Sequence, residues 1–176
     1  MSRLSIQRVL SLDLRARRFG YVVFEGPHTL LDWGIRTHAK GGRSLLVKRL
    51  NCLRSMFAPS IILVRKTKEA HRATHSLVRL PLQTVKAFAK RVIVVVRVID
   101  CSTLRAFFAK DAKLNKHDVA RMVADRFPEL SWQLPRKRKP WETESTRQSI
   151  FDAASLGVFY FAQQVELPKT GRVAND

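Results

Sequence analysis

The chain has 176 residues, which is enough for one domain with a single buried core. Its 33 Lys+Arg residues against 14 Asp+Glu residues give a formal net charge of +19, which attracts polyanions and repels cations. The basic residues are spread over the whole length, whereas a lipid-binding segment is one local cluster. Nucleic acid is therefore the expected partner, ahead of a membrane surface or an acidic protein.

Cysteine usage and the apolar runs limit the class of protein. Cys52 and Cys101 lack metal-ligand spacing, which argues against a zinc site and a disulfide framework, so we expect both to be small core residues. The longest apolar run, Val92–Val96, is too short to cross a bilayer, and the N-terminus lacks a signal-peptide core. We expect a soluble cytoplasmic protein with one domain over 1–165 and a flexible tail over 166–176.

The predicted elements begin with a hairpin. Apolar runs on either side of the basic turn Arg15–Arg18 predict two antiparallel strands, and Thr29–Arg36 predicts a third. Periodicity then predicts a helix over 44–58, a strand over 60–64, a helix over 76–90, a strand over 92–98, a helix after residue 101, and helices over about 116–127 and 145–164. Ser102 is the expected cap of the third helix, and Ser145 and Gln148 have capping-box spacing.

This order of elements predicts an α/β fold. Three hairpin-linked strands form an antiparallel unit, and two further strands reached through helices pair in parallel. The result is a mixed five-stranded sheet with helices on its faces.

Asp13 is the unusual residue of the first strand. A carboxylate inside an apolar strand is costly to bury unless it is paired or holds a metal. Because arginines follow it in the turn, an ion pair with Arg15 or Arg17 is one explanation. A functional site is the other.

Two stretches resemble the RuvC-type Holliday-junction resolvases. In VLSLDLRARRFGYVVFEG, an apolar strand delivers Asp13, and Gly20 opens the next strand. In RQSIFDAASLGVFYF, Asp152 stands where the family's last helix has its aspartate, followed by small residues and Leu156. The resemblance covers roughly residues 8–164 and implies a ribonuclease H-like fold, which has this order of strands and helices.

The resemblance also implies a chemistry, the hydrolysis of a phosphodiester by two divalent cations about 3.5–4 Å apart. Carboxylate and water ligands suit Mg²⁺ or Mn²⁺. Asp13 and Asp152 are the implied metal ligands and catalytic residues. The auxiliary carboxylate stays open between Glu69, Glu142 and Glu144, of which we assign Glu144.

The sequence departs from the family's pattern after the fourth strand. A glutamate is expected after PSIILV, yet Arg65 and Lys66 stand there. Ser149, one turn before Asp152, replaces an acid or histidine. If Arg65 pairs with Asp13 and Asp152, the acidic cluster becomes an ion network without a metal, and cleavage is lost.

The predicted function is a RuvC-like nucleic-acid-binding protein, with a metal-dependent endonuclease acting on branched or structured DNA as the first hypothesis. A catalytically inactive subunit of a larger nucleoprotein complex is the second, and an RNA- or ribosome-associated structural protein is the third. A homodimer is the other expected assembly, since RuvC-type resolvases act as dimers.

The predicted phosphate contacts come from basic residues in turns, loops and strand ends. They are Arg15, Arg17, Arg18, Lys40, Arg43, Arg65, Lys66, Arg136, Lys137, Arg138 and Lys139. Trp132 and Trp141 flank the last of these runs, where they either pack in the core or at a hinge, or stack on bases.

Overall fold

The structure is a computed structural model that describes residues 7–38, 42–66, 72–109 and 114–166. Its strands are β1 (Arg8–Leu14), β2 (Arg18–Glu25), β3 (Thr29–Thr37), β4 (Ile61–Lys66) and β5 (Val95–Asp100). Its helices are α1 (Gly42–Phe57), α2 (Arg72–Arg91), α3 (Cys101–Ala109), α4 (Lys116–Arg126) and α5 (Gln148–Glu166), with a short 3₁₀ helix at Pro128–Gln133. The predicted order of strands and helices is confirmed.

The five strands form one mixed sheet in the order β3-β2-β1-β4-β5. β1, β2 and β3 pair antiparallel through short turns, because a tight turn can only reverse the chain. β4 is parallel to β1, and β5 is parallel to β4, so each is reached through a helix. The arrangement is the predicted ribonuclease H-like sheet with β1 at its centre.

Alternation along β1 divides the core into two layers. Leu10 and Leu12 face the layer that contains α1 and α2, whereas Val9 faces the layer built on α3, α4 and α5. Asp13 follows Val9 by four residues, an even number, so its side chain lies on the same face of the sheet as Val9, the α5 face. The central strand thereby delivers one carboxylate toward the most buried helix of the protein.

Helix α5 lies close to the sheet because small residues line its contact face. Ala153 and Ala154 are fully buried. A Cβ added at Gly157 would lie 2.2 Å from the ring of Phe24, and one added at Gly20 would lie 2.3 Å from the backbone oxygen of Ser149. The two glycines therefore set the separation of β2 and α5 at two points along the helix.

Several local predictions are wrong. The cap of α3 is Asp100, whose carboxylate accepts hydrogen bonds from the backbone N–H and the hydroxyl of Ser102. Ser145 and Gln148 form no capping box, because the Gln148 side chain donates to Asp152 instead. Cys52 is exposed and is not a core residue.

Two further findings concern the helices. The second helix begins at residue 72, four residues before its predicted start at 76. Within the described ranges, no helix combines the length and the apolar character that a membrane span requires.

We expect Gly157→Ala to destabilise the fold, although alanine has the higher helix propensity. The added methyl group would overlap the buried ring of Phe24, and overpacking typically costs about 1–3 kcal/mol or more. Urea denaturation followed by circular dichroism should show a free energy of unfolding about 2 kcal/mol lower. Gln163→Ala on the exposed face of the same helix should stay within about 0.5 kcal/mol. Equal stability of the two variants would contradict the close approach of α5 to β2.

Candidate functional site

Asp13 and Arg65 are neighbours because β1 and β4 are parallel. The register pairs Leu12 with Val64, which places the next residue of each strand side by side at the same edge of the sheet. Helix α5 packs across β1 and β2 and brings Ser149 and Asp152 to that edge. The topology thus collects these side chains from segments far apart in sequence.

The Asp13 carboxylate is 1% exposed and accepts three side-chain hydrogen bonds. Arg65 donates from Nη2 to Oδ1 at 2.6 Å, and Arg15 donates from Nε to Oδ2 at 2.7 Å. The Ser149 hydroxyl donates to Oδ2 at 2.7 Å and accepts the Gly20 N–H at 3.0 Å. Both oxygens of Asp13 are therefore occupied.

Asp152 is bound by the same two arginines. Arg15 donates from Nη2 to its Oδ2 at 2.8 Å, and Arg65 contacts the same oxygen from Nη1 at 3.4 Å. The Gln148 side chain, one helical turn earlier, donates to Oδ1 at 3.0 Å. Each guanidinium thus bridges both aspartates, a fixed geometry that a planar fork of donors permits.

Glu144 and Lys116 form the outer part of the same cluster. Arg15 Nη1 lies 3.3 Å from Glu144 Oε2, and Lys116 Nζ lies 2.5 Å from Oε1 of the same residue. Lys116 is also 3.7 Å from Asp152. We call these six side chains the ion network: Asp13, Asp152, Glu144, Arg15, Arg65 and Lys116. Its three carboxylates and three cations cancel in formal charge.

The arginines stay protonated because of the carboxylates around them. Burial by itself lowers the pKa of each guanidinium, but the charges of Asp13 and Asp152 outweigh burial, and the pKa of Arg15 and of Arg65 is raised. Arg15 and Arg65 therefore carry their positive charge in the ion network.

The implied pair of divalent cations does not fit this set of donors. Metal ions need carboxylate oxygens that are free to coordinate, whereas the oxygens of Asp13 and Asp152 accept from two guanidiniums, a hydroxyl and an amide. An added cation would also lie beside two fixed positive charges. In the described part of the chain, no group of three or more His, Cys, Asp or Glu is arranged to hold a metal. The Mg²⁺ or Mn²⁺ role of the two aspartates stays a prediction.

The three candidates for the auxiliary carboxylate have different positions in the structure. Glu144 joins the ion network, as assigned, but as a partner of two cations. Glu142 lies outside it and accepts the backbone N–H of Lys139. Glu69 lies outside the described residues. Of the two arginines suggested as ion-pair partners of Asp13, Arg15 is the one that binds it, and Arg17 is exposed.

The predicted phosphate contacts have different surroundings. Arg15 and Arg65 form ion pairs within the ion network. Lys66 is exposed, and its Nζ lies 3.7 Å from Oδ2 of Asp100. Arg18 is half-buried. The other exposed members of the set are Arg17, Arg43, Arg136, Lys137, Arg138 and Lys139, and Lys40 lies outside the described residues.

A groove of about 600 Å³ opens beside the ion network, and we call it the basic groove. It is lined by Asn115, Lys116, His117, Pro135, Arg136, Lys137, Arg138, Glu144, Ser145 and Gln148. Three of the predicted phosphate-binding residues, Arg136, Lys137 and Arg138, thus share one groove with the network's Lys116. Nearby, Lys139 Nζ lies 5.7 Å from the Trp141 ring centroid.

Neither tryptophan is a core residue. Trp141 is 78% exposed and Trp132 is 67% exposed, so core packing is wrong for both. Their stacking on bases stays a prediction.

Sequence reasoning missed two members of the site. Gln148 had a detectable signal, because residues four apart on a helix face each other and Gln148 precedes Asp152 by four. Lys116 had none, because it reaches Glu144 only through the packing of α4 against α5.

No family model matches the sequence, and no curated protein matches it. Known structures do match. RuvC of Thermus thermophilus in complex with a Holliday junction substrate matches with a TM-score of 0.67 at 16% identity, over 90% of this chain and 96% of that one. The yeast mitochondrial Holliday junction resolvase Ydc2 matches with a TM-score of 0.69 at 14% identity, over 92% and 80% of the two chains. The chain has the RuvC fold.

A third RuvC-fold structure is a fowlpox virus resolvase with Holliday junction DNA, at a TM-score of 0.54 and 12% identity over 90% of this chain. The sequence-based resemblance is thereby confirmed at the level of fold. In this chain, Asp13 of β1, Arg65 of β4 and Asp152 of α5 lie together at one edge of the sheet. Arg65 is near the end of β4, at the position where the resemblance predicts a glutamate.

We expect Arg65→Met to lower the free energy of unfolding by about 3–5 kcal/mol, since it leaves a buried carboxylate poorly compensated. Arg17→Met, which removes an exposed arginine from the adjoining turn, should change it by less than about 0.5 kcal/mol. Replacing both partners, Arg65→Leu with Asp13→Leu, should recover part of the loss. Urea denaturation at neutral pH measures all three, and an Arg65→Met protein as stable as the wild type would rule out a structural ion network.

Proposed function

We propose that this chain is a DNA-binding protein of the RuvC fold that binds branched DNA without cleaving it. The observation that carries the proposal is the bridging of Asp13 and Asp152 by Arg15 and Arg65. Charge-assisted bonds of this length hold the carboxylates that hydrolysis would need as metal ligands. The fold and the cationic surface of a resolvase are kept, and the centre of the site is neutral.

The choice of DNA rests on charge and on the structural neighbours. A formal charge of +19 favours a polyanion, and the exposed run Arg136–Lys139 adjoins the basic groove. The Thermus thermophilus and fowlpox virus structures contain Holliday junctions. A four-way junction is therefore the ligand we assign to this surface.

The basic groove supplies the phosphate contacts in this proposal. Arg136, Lys137 and Arg138 are exposed and pair with no carboxylate in the described part of the chain, in contrast to Arg15 and Arg65, so they can neutralise phosphates without breaking the ion network. Trp141, exposed beside Lys139, offers a face on which an unpaired base of a branch point can stack. Binding and the neutral centre are thus assigned to different residues.

A metal-dependent endonuclease is the second candidate function. The convergence of Asp13, Asp152 and Glu144 at one edge of the sheet favours it. Cleavage would require both guanidiniums to leave the aspartates and carboxylate oxygens to become free. Because that exchange breaks buried ion pairs, the endonuclease function ranks behind DNA binding without cleavage.

We expect the wild-type protein to bind a labelled four-way junction in EDTA and to leave it intact in Mg²⁺ or Mn²⁺. Gel shift and denaturing gels measure the two properties on the same samples. Manganese-dependent nicking that Asp13→Asn abolishes would establish the endonuclease instead. Preference for duplex RNA of matched length over the junction would favour the RNA-associated alternative.

We expect the basic groove to dominate the salt dependence of binding. The triple variant Arg136→Ala, Lys137→Ala and Arg138→Ala should reduce the slope of log K against log salt concentration by about 2–3, since each lost phosphate contact contributes about 0.9. The matched control removes the same charge from exposed positions of α1: Lys48→Ala, Arg49→Ala and Arg54→Ala. Fluorescence anisotropy measures both slopes. Equal reductions in the two variants would mean that net charge, and not the groove, controls binding.

A further inference from the structure

Strand β5 is an edge of the sheet with an unusually apolar surface. It pairs with β4 on one side, and the described residues place no strand on the other. Val95 is 54% exposed and Val98 is 40% exposed. Edge strands usually carry charges, prolines or bulges that prevent pairing, yet Arg97 is the only charged residue between Val95 and Ile99.

The turn before β5 adds a second exposed apolar group. Ile93 is 94% exposed and has a φ of 56°, a left-handed conformation that a β-branched residue rarely adopts. This strained backbone conformation exposes the large apolar side chain of Ile93 to solvent just before the start of β5.

The backbone of β5 has donors that face away from β4. The Val95 N–H donates to Ser60 in the direction of β4 at 3.4 Å. Because successive residues of a strand direct their amides to opposite sides, the N–H groups of Val96 and Val98 point to the open edge. A strand laid beside β5 would accept these bonds.

A groove flanks the edge on each face of the sheet. One, of about 370 Å³, has a floor of Val94, Val96 and Val98, with Lys86 and Lys90 of α2 beside it. The other, of about 460 Å³, lies on the α5 face. Its lining includes Arg97, Ile99, Gln163 and Gln164, together with Asp100, whose carboxylate lies 3.7 Å from Lys66 Nζ. A paired strand alternates its side chains between the two faces, so each row would enter one groove.

We infer that β5 binds an extended segment of an acidic partner protein as a sixth strand. Apolar side chains of one row pack on the valine floor, and acidic side chains of the other row face Arg97 and the two glutamines. Lys86 and Lys90 add positive charge along the rim of the first groove. This inference is independent of the proposed DNA-binding function.

Charge decides between an acidic partner and the other occupants. A second copy of this chain would bring another +19 charge and would oppose like residues around each edge. A phosphodiester backbone gains nothing from a valine floor. An acidic, apolar strand satisfies the open amides, the valines and the basic rim together.

The test uses a fluorescein-labelled ten-residue peptide of alternating Val and Glu, with a Val–Lys peptide as its charge control. We expect the Val–Glu peptide to bind the full chain, the Val–Lys peptide to bind at least tenfold more weakly, and amide exchange at Val96 and Val98 to slow in the complex. Val98→Glu should weaken binding at least tenfold. Met122→Glu, an equal charge change at a position 45% exposed on α4, should leave it unchanged.

Other outcomes overturn the inference. No binding of the Val–Glu peptide, or equal binding by Val98→Glu protein with a wild-type unfolding transition, would exclude strand addition. A dimer in sedimentation that Val98→Glu dissociates and Met122→Glu does not would assign the edge to a second copy. Junction DNA could also displace the peptide by binding at β5 itself. Displacement that does not depend on the basic groove would assign the β5 edge to nucleic acid.

Discussion

The bridging of two buried aspartates by two arginines is the contact on which the rest of this site depends. Asp13 is buried on the central strand, so a partner must reach it from a neighbouring element. The parallel pairing of β1 with β4 supplies Arg65, and the turn after β1 supplies Arg15. Helix α5 can bring Asp152 to the same arginines only because Gly20 and Gly157 let it approach the sheet. Fold geometry and electrostatics therefore support each other.

The same contact separates DNA binding from DNA hydrolysis, two properties that a metal-dependent nuclease combines. In a two-metal site, the cations that hold the scissile phosphate also activate the water. Here the central charges cancel, and exposed cations that pair with no carboxylate in the described part of the chain lie at the rim, on the Arg136–Lys139 run. Affinity for a polyanion can persist while the groups that hydrolysis needs are engaged elsewhere. The single residue most responsible is Arg65, which stands at the end of β4 where the resemblance predicts a glutamate.

The fold and the inner site were predictable from sequence, and the outer site was not. Alternating apolar strands and helical crossovers restrict the topology strongly, and the position of Arg65 after an apolar strand already suggested its pairing with Asp13 and Asp152. Lys116 could not be foreseen, because its contact depends on how α4 packs against α5. The predicted helix caps were wrong for a local reason. Asp100 and Ser102 are both suitable cap residues at the start of α3, and the Gln148 side chain binds Asp152 instead of forming a capping box. The exposure of Trp132 and Trp141 was likewise a matter of tertiary packing, which local sequence does not encode.

The electrical neutrality of the ion network has a consequence for how DNA would lie on the protein. A pair of divalent cations is a fixed point that captures one phosphodiester and so sets the register of the duplex to the nucleotide. A neutral centre offers no such anchor, and exposed basic side chains at the rim would hold the backbone by diffuse attraction. A protein of this kind can follow a branch point as it migrates, because no single phosphate is preferred over its neighbours.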